Sequence, residues 1–435
     1  MQVLQTSMGE SLRDSRIATP PDASGDSALG ACRTVVVLND FTYVQGGASG
    51  VAIDGAIALA ALGLEVIFVG AVGPVSPSLL SAPLRVVCLD QAELLGVARH
   101  PGVVLQALWN RKAGRAVEAI LADLDPASTV VHVHGYTKAL SAMPVTQARN
   151  LGFAVVCTLH DFFAACPNGA FFDYAAGVPC QRVALSWDCA AARCDKRSHA
   201  HKLFRVARGW VQRNAAQFPQ AVRDYIVLSQ RSAAILQRYL PDDARFHRVP
   251  HGMDLQKLPP VRVAAQQELL CIGRLEEEKG VRLLGETAAR LGMRVTFVGD
   301  GPLRDELEAL PGMTVTGWLE RDQVFAAMEH ARCLVFPSLW YETYGLVVGE
   351  AASRGIPAVV SDVSAPSERV TDGVDGWVFR SGDAGALATA LLHTQDDAAI
   401  AAAGQAAYDA YWLRHASRHD HATALLTIYQ AILSA

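Results

Sequence analysis

The 435-residue sequence lacks any uncharged apolar run long enough to cross a bilayer. Its most hydrophobic stretch, "AIALAALGLEVIFVGAVG", is interrupted by Glu65 and preceded by Asp54, and a spanning helix needs about 20 largely apolar residues. The sequence also lacks a basic surplus. Its 38 Lys and Arg stand against 43 Asp and Glu, a net charge of -5, so no broad positive surface for nucleic acid is expected. The start of the chain lacks a basic segment followed by an apolar core; rich in Ser, Asp, Pro and Gly, residues 1–30 read as a disordered leader rather than a secretory signal. A cytoplasmic protein is therefore expected. Nine cysteines make an odd number, and Cys157, Cys271 and Cys333 sit inside apolar runs, where a reduced thiol acts as a small hydrophobe and a disulfide framework is not expected.

What is present is an alternation of short β-branched runs with longer helical ones. "RTVVVLND", a helical stretch from Val51 to Leu64, "EVIFVGAV", "TVVHVHG" and "FAVVCTLHD" follow one another, the pattern of parallel strands with crossover helices. The second half repeats it through "ELLCIGRL", "RVTFVGDG", "MTVTGWL", "RCLVFPSL", "IPAVVSD" and "GWVF". The expected fold class is α/β, with two doubly wound Rossmann-like domains facing across a cleft. The boundaries read from composition are 31–247, with a cysteine-containing insertion at 166–194, then 248–415, with "RVPHGMD" as the connector. Residues 416–435 continue a helical tail that can pack on either domain.

Ligands of open α/β sheets bind beyond the carboxyl ends of the strands. There, "LWYETYGLVVGEAASRGIPAVVSD" places Glu342 and Glu350 around a helix that starts at Gly345 and Leu346. A helix start attracts an anion such as phosphate, and carboxylates beside it can meet sugar or ribose hydroxyls. In "GRLEEEKG", Arg274 ends a strand and Lys279 begins a helix, two cations placed for a diphosphate. The alternatives are a carboxylate pair that only complements the helix dipole and a solvated charge run answering Glu276, Glu277 and Glu278.

These motifs, with "VGDGPLRDEL", "GIPAVVSD" and the early "QGGAS" loop, resemble the retaining nucleotide-sugar glycosyltransferases of family four, which have the GT-B fold and carry two glutamates separated by seven residues. The resemblance covers roughly residues 34–415 and is strongest in the second half. It implies an acceptor-side N-terminal domain and a C-terminal domain holding a nucleoside-diphosphate sugar, UDP or GDP. It further implies that Arg274 and Lys279 contact the diphosphate, Glu350 the ribose and Glu342 the transferred sugar, with His134 near the anomeric carbon; Gly345 and Leu346 at the helix start, and Gly47 in a loop that allows close backbone approach, are donor contacts by position. No metal cofactor is implied. Polysaccharide or glycoconjugate assembly on a glycan or lipid-linked acceptor is the expected role. A nucleotide-sugar epimerase, a phosphorylase and a non-catalytic partner subunit are the alternatives, because fold does not fix chemistry.

Other residues are candidates on position alone. His160 and Asp161 in "TLHDFF" follow a strand and reach the same edge, as contacts to acceptor or donor, and His132 shares the side of His134. Asp123 and Asp125 in "ADLD" mimic a metal-binding DxD but sit where turn formers are common. Cys166, Cys180, Cys189 and Cys194 crowd the insertion and are candidate ligands for a structural zinc, with free thiols as the alternative. After it, "KLFRVARGWVQRNAAQF" puts Leu203, Val206, Ala207, Trp210 and Val211 on one helical face with Lys202, Arg205, Arg208 and Arg213 around it. That face would pack on the core or lie peripherally on an anionic membrane.

Overall fold

The computed structural model describes residues 17–18, 31–93, 101–249 and 251–435. The leader expected over 1–30 lies outside the described residues, apart from Ile17–Ala18, a short strand paired in parallel with Arg245–Arg248.

Two parallel sheets follow one another, as the alternation predicts. The first runs in spatial order Ile17–Ala18, Arg245–Arg248, Asp224–Val227, Ala154–Thr158, Thr129–Val133, Thr34–Phe41, Glu65–Val72 and Arg85–Cys88. The second runs Met313–Gly317, Arg294–Val298, Glu268–Ile272, Ala331–Phe336, Ala358–Ser361 and Gly376–Phe379. Their central strands are buried at every position and mostly apolar, as in Thr129–Val133 and Ala331–Phe336, which is what helices on both faces of a parallel sheet require. One core lies on one face of the first sheet around Val36, Val131 and Tyr225, a second on its other face around Val35, Ile53 and Phe68, and a third fills the second domain.

The helical tail is two helices, Asp397–Arg414 and Arg418–Leu433, and not one. Ser417 and Asp420 form a capping box that restarts the chain, the signature of a new helix N-terminus. Arg418–Leu433 returns to the first domain, burying Ala422, Leu425, Ile428 and Tyr429 against the helix Gly47–Ala61 and its sheet. The return crosses beside the connector: Met253 N–H donates to the Ala416 carbonyl at 3.0 Å, and Arg418 pairs with Asp54 of the first domain at 3.2 Å. The domains are thus joined by two adjacent chain crossings.

Candidate functional site

In the second domain the site is built by two loops that glycine allows to touch. Strand Glu268–Ile272 runs through Arg274 into a single helical turn, Glu277–Lys279, and then into the helix Val281–Arg290. Gly280 between them has φ of 69°, and a Cβ there would lie 2.0 Å from the Pro337 carbonyl oxygen, so only glycine fits. That approach sets Lys279 beside the loop after strand Ala331–Phe336. Lys279 Nζ is 2.5 Å from Glu342 Oε2, and Trp340 Nε1 donates to the same oxygen at 3.0 Å. The lysine also lies 5.1 Å from the centre of the Trp340 ring. Glu342 is therefore paired, not stranded. Arg274 is half exposed, with Nη1 2.8 Å from Glu276 Oε2. Gly345, with φ of 72°, opens the helix Leu346–Ser353 and offers its first N–H groups no side-chain acceptor, leaving donors free for a ligand. Glu350, one turn on, stands 3.7 Å from Arg321, and burial raises its carboxyl above the usual range.

In the first domain the strand ends supply the rest. Asp40 is buried and accepts N–H bonds from Lys138, Ala139 and Leu140 at 2.9, 2.8 and 2.9 Å, which fixes the loop after His134. Lys138 Nζ in turn donates to Gln45 in the glycine loop at 2.7 Å. His134 Nδ1 is 2.9 Å from His160 Nε2, and its ring lies 4.0 Å from that of His132. His132 bonds Tyr429 of the returning helix and, at 2.7 Å, Thr158. His132 is thus a structural core residue, while His134 faces the cleft. Asp161 opens into the cleft and is pushed up to about 6 by the protein packed around it.

One cavity of about 850 Å³ lies between the domains, and Gly47, His134, Asp161, Arg274, Lys279 and Glu342 all line it. Gly345, Leu346, Glu350 and His160 are outside that lining. Leu346 nevertheless faces Gly47 across the gap, 3.5 Å from where a Cβ would stand. The His160 carbonyl accepts from Thr343 Oγ1 at 2.8 Å, a direct bond between the domains. The sequence reading missed Lys196, Arg205, Arg208, Tyr174 and Trp340, which also line the cavity. Lys196 reaches across to Glu276 at 2.6 Å, the carboxylate that holds Arg274. Tyr174, Lys196 and Trp340 sit in irregular chain, where no periodic signal marks them, whereas Arg205 and Arg208 lie on the helix His199–Asn214, where the period reads them only as the flank of an apolar face.

The insertion departs from expectation in two ways. The zinc assignment does not hold: Lys202, fully buried, directs its amine among the thiols with Nζ 3.4 Å from Cys189 Sγ, and among the described residues no three His, Cys, Asp or Glu side chains are grouped to hold a metal ion. An ammonium there repels a cation. Cys194 instead accepts from Asn168 at 3.4 Å, Cys180 is approached by Arg182 at 3.8 Å, and Cys166 is buried; all nine cysteines are free thiols. Second, the helix His199–Asn214 is docked with the opposite face inward. Lys202, Val206, Arg208 and Gln212 are buried, whereas Leu203 and Trp210 are 49% and 58% exposed. The inward cations are satisfied locally, Arg208 by the Thr137 carbonyl at 2.8 Å and Arg205 by Asp195 at 3.2 Å, and both line the cleft. Among the described residues no helix is long and apolar enough to cross a membrane. Asp125 closes a turn through Ala127 N–H and Ser128 Oγ at 3.1 and 3.0 Å.

The histidine row predicts acid sensitivity. Burial lowers His132 and His160 to about 3, and His134 well below its usual value. An unfolded histidine titrates near 6.5, so below about pH 6.5 the unfolded chain binds more protons and stability is lost as the pH is lowered, by up to about 1.4 kcal/mol per pH unit for each such histidine. Urea midpoints at pH 7.5, 6 and 5 are expected to decline steadily, with a shallower slope in His132→Gln; equal midpoints would contradict the neutral row.

Comparison with known proteins agrees with this architecture. A Glycosyltransferase Family 4 model matches residues 45–257 and a Glycosyl transferases group 1 model matches residues 266–397. Glycogen synthase of Mycobacterium tuberculosis is 30% identical over 220 residues, 44% of this chain and 52% of that protein. A GDP-mannose-dependent alpha-mannosyltransferase of Corynebacterium glutamicum is 28% identical over 139 residues, 32% of this chain and 33% of that protein. The chain thus spans about half the length, or less, of these relatives. The structure of Anabaena HepE in complex with UDP and glucose superposes with a TM-score of 0.64 at 15% identity, covering 93% of this chain and 100% of that one, a likeness of fold. With two parallel-sheet domains, strand-end loops meeting in one cleft, and a family match on each side of the connector, the chain belongs to the glycosyltransferases of the GT-B fold, a Glycosyltransferase Family 4 domain followed by a group 1 domain.

Proposed function

We propose that the protein transfers a glycosyl group from a nucleoside-diphosphate sugar, UDP- or GDP-linked, to an acceptor hydroxyl with retention of anomeric configuration, in polysaccharide or glycoconjugate assembly. The observation that carries this reading is the meeting of Arg274, Lys279 and Glu342 in the interdomain cleft, with the uncapped helix start at Leu346 close by. As the glycosidic bond breaks, negative charge gathers on the departing diphosphate, and fixed cations aimed at it supply the kind of stabilisation that dominates many rate enhancements. Lys279 would hold the diphosphate while Glu342, shared between Lys279 and Trp340, would take a sugar hydroxyl. Glu350 would hold the ribose, and His134 would orient the sugar from the acceptor side. Both nucleotides occur among the similar proteins, UDP in the HepE complex and GDP-mannose in the Corynebacterium mannosyltransferase. The acceptor is a glycan, free or lipid-linked, entering over the first domain, where Lys138, Asp161, Arg205 and Arg208 face it.

The test is release of nucleoside diphosphate from UDP-glucose, UDP-galactose and GDP-mannose with a panel of glycan acceptors, and the anomeric configuration of the product by proton NMR. A non-catalytic partner subunit would release none above the buffer rate. Because two cations and a helix start serve the leaving group, transfer is expected to persist in EDTA. Loss of activity there, restored by magnesium or manganese, would contradict that role for them.

A further inference from the structure

A second, smaller cavity lies within the second domain, apart from the cleft. It has a volume of about 150 Å³ and an apolar floor of Val348, Ala352, Ile356 and Ala407. A cavity of about that volume accommodates a benzene-sized ring. The polar groups around it include His251, Arg369 and Arg414, the Tyr411 hydroxyl paired with His415 Nδ1 at 3.2 Å, Tyr344, and one carboxylate, Asp375, already engaged by Thr371 N–H at 2.6 Å. His251 is 6% exposed, and among the described residues its Nδ1 has no hydrogen-bond partner. A buried ring nitrogen in that state needs a partner from somewhere. Arg369 donates through Nη2 to the carbonyls of Tyr344 and Gly345, and a guanidinium carries five N–H donors in all.

We propose that this cavity is a binding site for a small carboxylate on an aromatic or compact aliphatic body, with the ring on the apolar floor and the carboxylate between Arg369 and His251. The ligand would bear on donor binding, a consequence that rests on the function proposed above. Val348, Gly349 and Ala352 belong to the helix Leu346–Ser353, whose start and Glu350 are assigned to the donor. Arg369 holds the two carbonyls just before that helix. His251 stands in the interdomain connector with its ring edge-to-face against Tyr344, centres 4.2 Å apart. A ligand here therefore touches the donor helix and the connector at once, without entering the cleft.

The probe is benzoate, measured by isothermal titration calorimetry on the full chain, with benzyl alcohol and acetate as partners lacking the charge or the ring. Saturable one-to-one binding of benzoate is expected, at least about tenfold tighter than either partner. Ala407→Leu and, independently, Ala352→Val fill the floor and are expected to weaken benzoate at least tenfold; a variant counts only if its thermal unfolding remains cooperative. Benzoate is also expected to change the dissociation constant of the nucleoside diphosphate that binds at least threefold. No benzoate binding in the wild type, or equal binding in both filled variants, would overturn the site. If benzoate binds as described while no nucleoside diphosphate does, the cavity stands and the donor reading fails; if benzoate binds and leaves nucleotide affinity unchanged, the coupling is overturned.

Discussion

Lys279→Ala and Glu342→Ala are each expected to lower glycosyl transfer at least about a hundredfold, roughly 2.7 kcal/mol of lost transition-state stabilisation. The pair is 2.5 Å apart at the edge of the cleft, and each side chain is less than a fifth exposed, at 19% and 17%. An interaction so sheltered from water is stronger than a surface ion pair. Removing Lys279 takes away a charge on the leaving diphosphate and also frees Glu342 to repel it. Removing Glu342 leaves Lys279 on the diphosphate but loses the sugar contact, so its loss should appear mainly in kcat. Glu342→Gln, which can still accept from Trp340, should recover part of the transfer. Turnover near the wild-type rate in either alanine variant, with an unchanged melting temperature, would contradict the roles given to both residues.

Gly280→Ala is expected to destabilise the protein by about 2 to 4 kcal/mol. Two costs add at this residue. The φ of 69° is strained for any side chain, and the new Cβ would stand 2.0 Å from the Pro337 carbonyl oxygen, so the backbone of two loops must part. Gly292 provides the control, since its φ is 67° and nothing lies within 4 Å of its Cβ position. Gly292→Ala should therefore show the conformational cost alone, about 1 kcal/mol. Urea unfolding of both variants separates the terms. Parting those loops also moves Lys279 from Glu342, so Gly280→Ala should lose donor affinity even where it remains folded, and Gly292→Ala should not. Equal stabilities for the two variants would mean that the contact at Pro337 is not a constraint on the fold.

How much of this was legible beforehand follows from which residues obey a period. The strands are readable because sheets covered on both faces demand mostly apolar runs, and "RCLVFP" and "TVVHV" are such runs, each with one buried basic or imidazole side chain. Arg274, Lys279, Glu342 and His134 were readable as strand-end residues, since a parallel sheet carries all its carboxyl ends to one edge. The insertion was not readable. Its helix reverses the usual rule by burying Lys202 and Arg208 and exposing Leu203 and Trp210. A hydrophobic-face argument fails there because the buried cations find thiols, a carbonyl and a carboxylate that lie elsewhere in the sequence. The reach of Lys196 to Glu276 spans 80 residues of chain and two domains, and no local pattern encodes it. Cys271 and Cys333 behave as the apolar runs around them indicate, with burial pushing both thiols up to about 12.

On the function proposed above, the second domain binds a nucleoside diphosphate through Arg274, Lys279, the helix start at Leu346 and Glu350. Thermal unfolding with UDP, GDP, ADP and TDP tests it most directly, since a ligand held at about a hundred times its dissociation constant adds about 2.7 kcal/mol and should raise the melting temperature by roughly 5 to 10 °C for domains of this size. One of UDP and GDP is expected to give that shift in full, and Lys279→Ala and Glu350→Ala are each expected to lose most of it. No shift with any of the four in the wild type, or the same shift retained in both variants, would contradict the site.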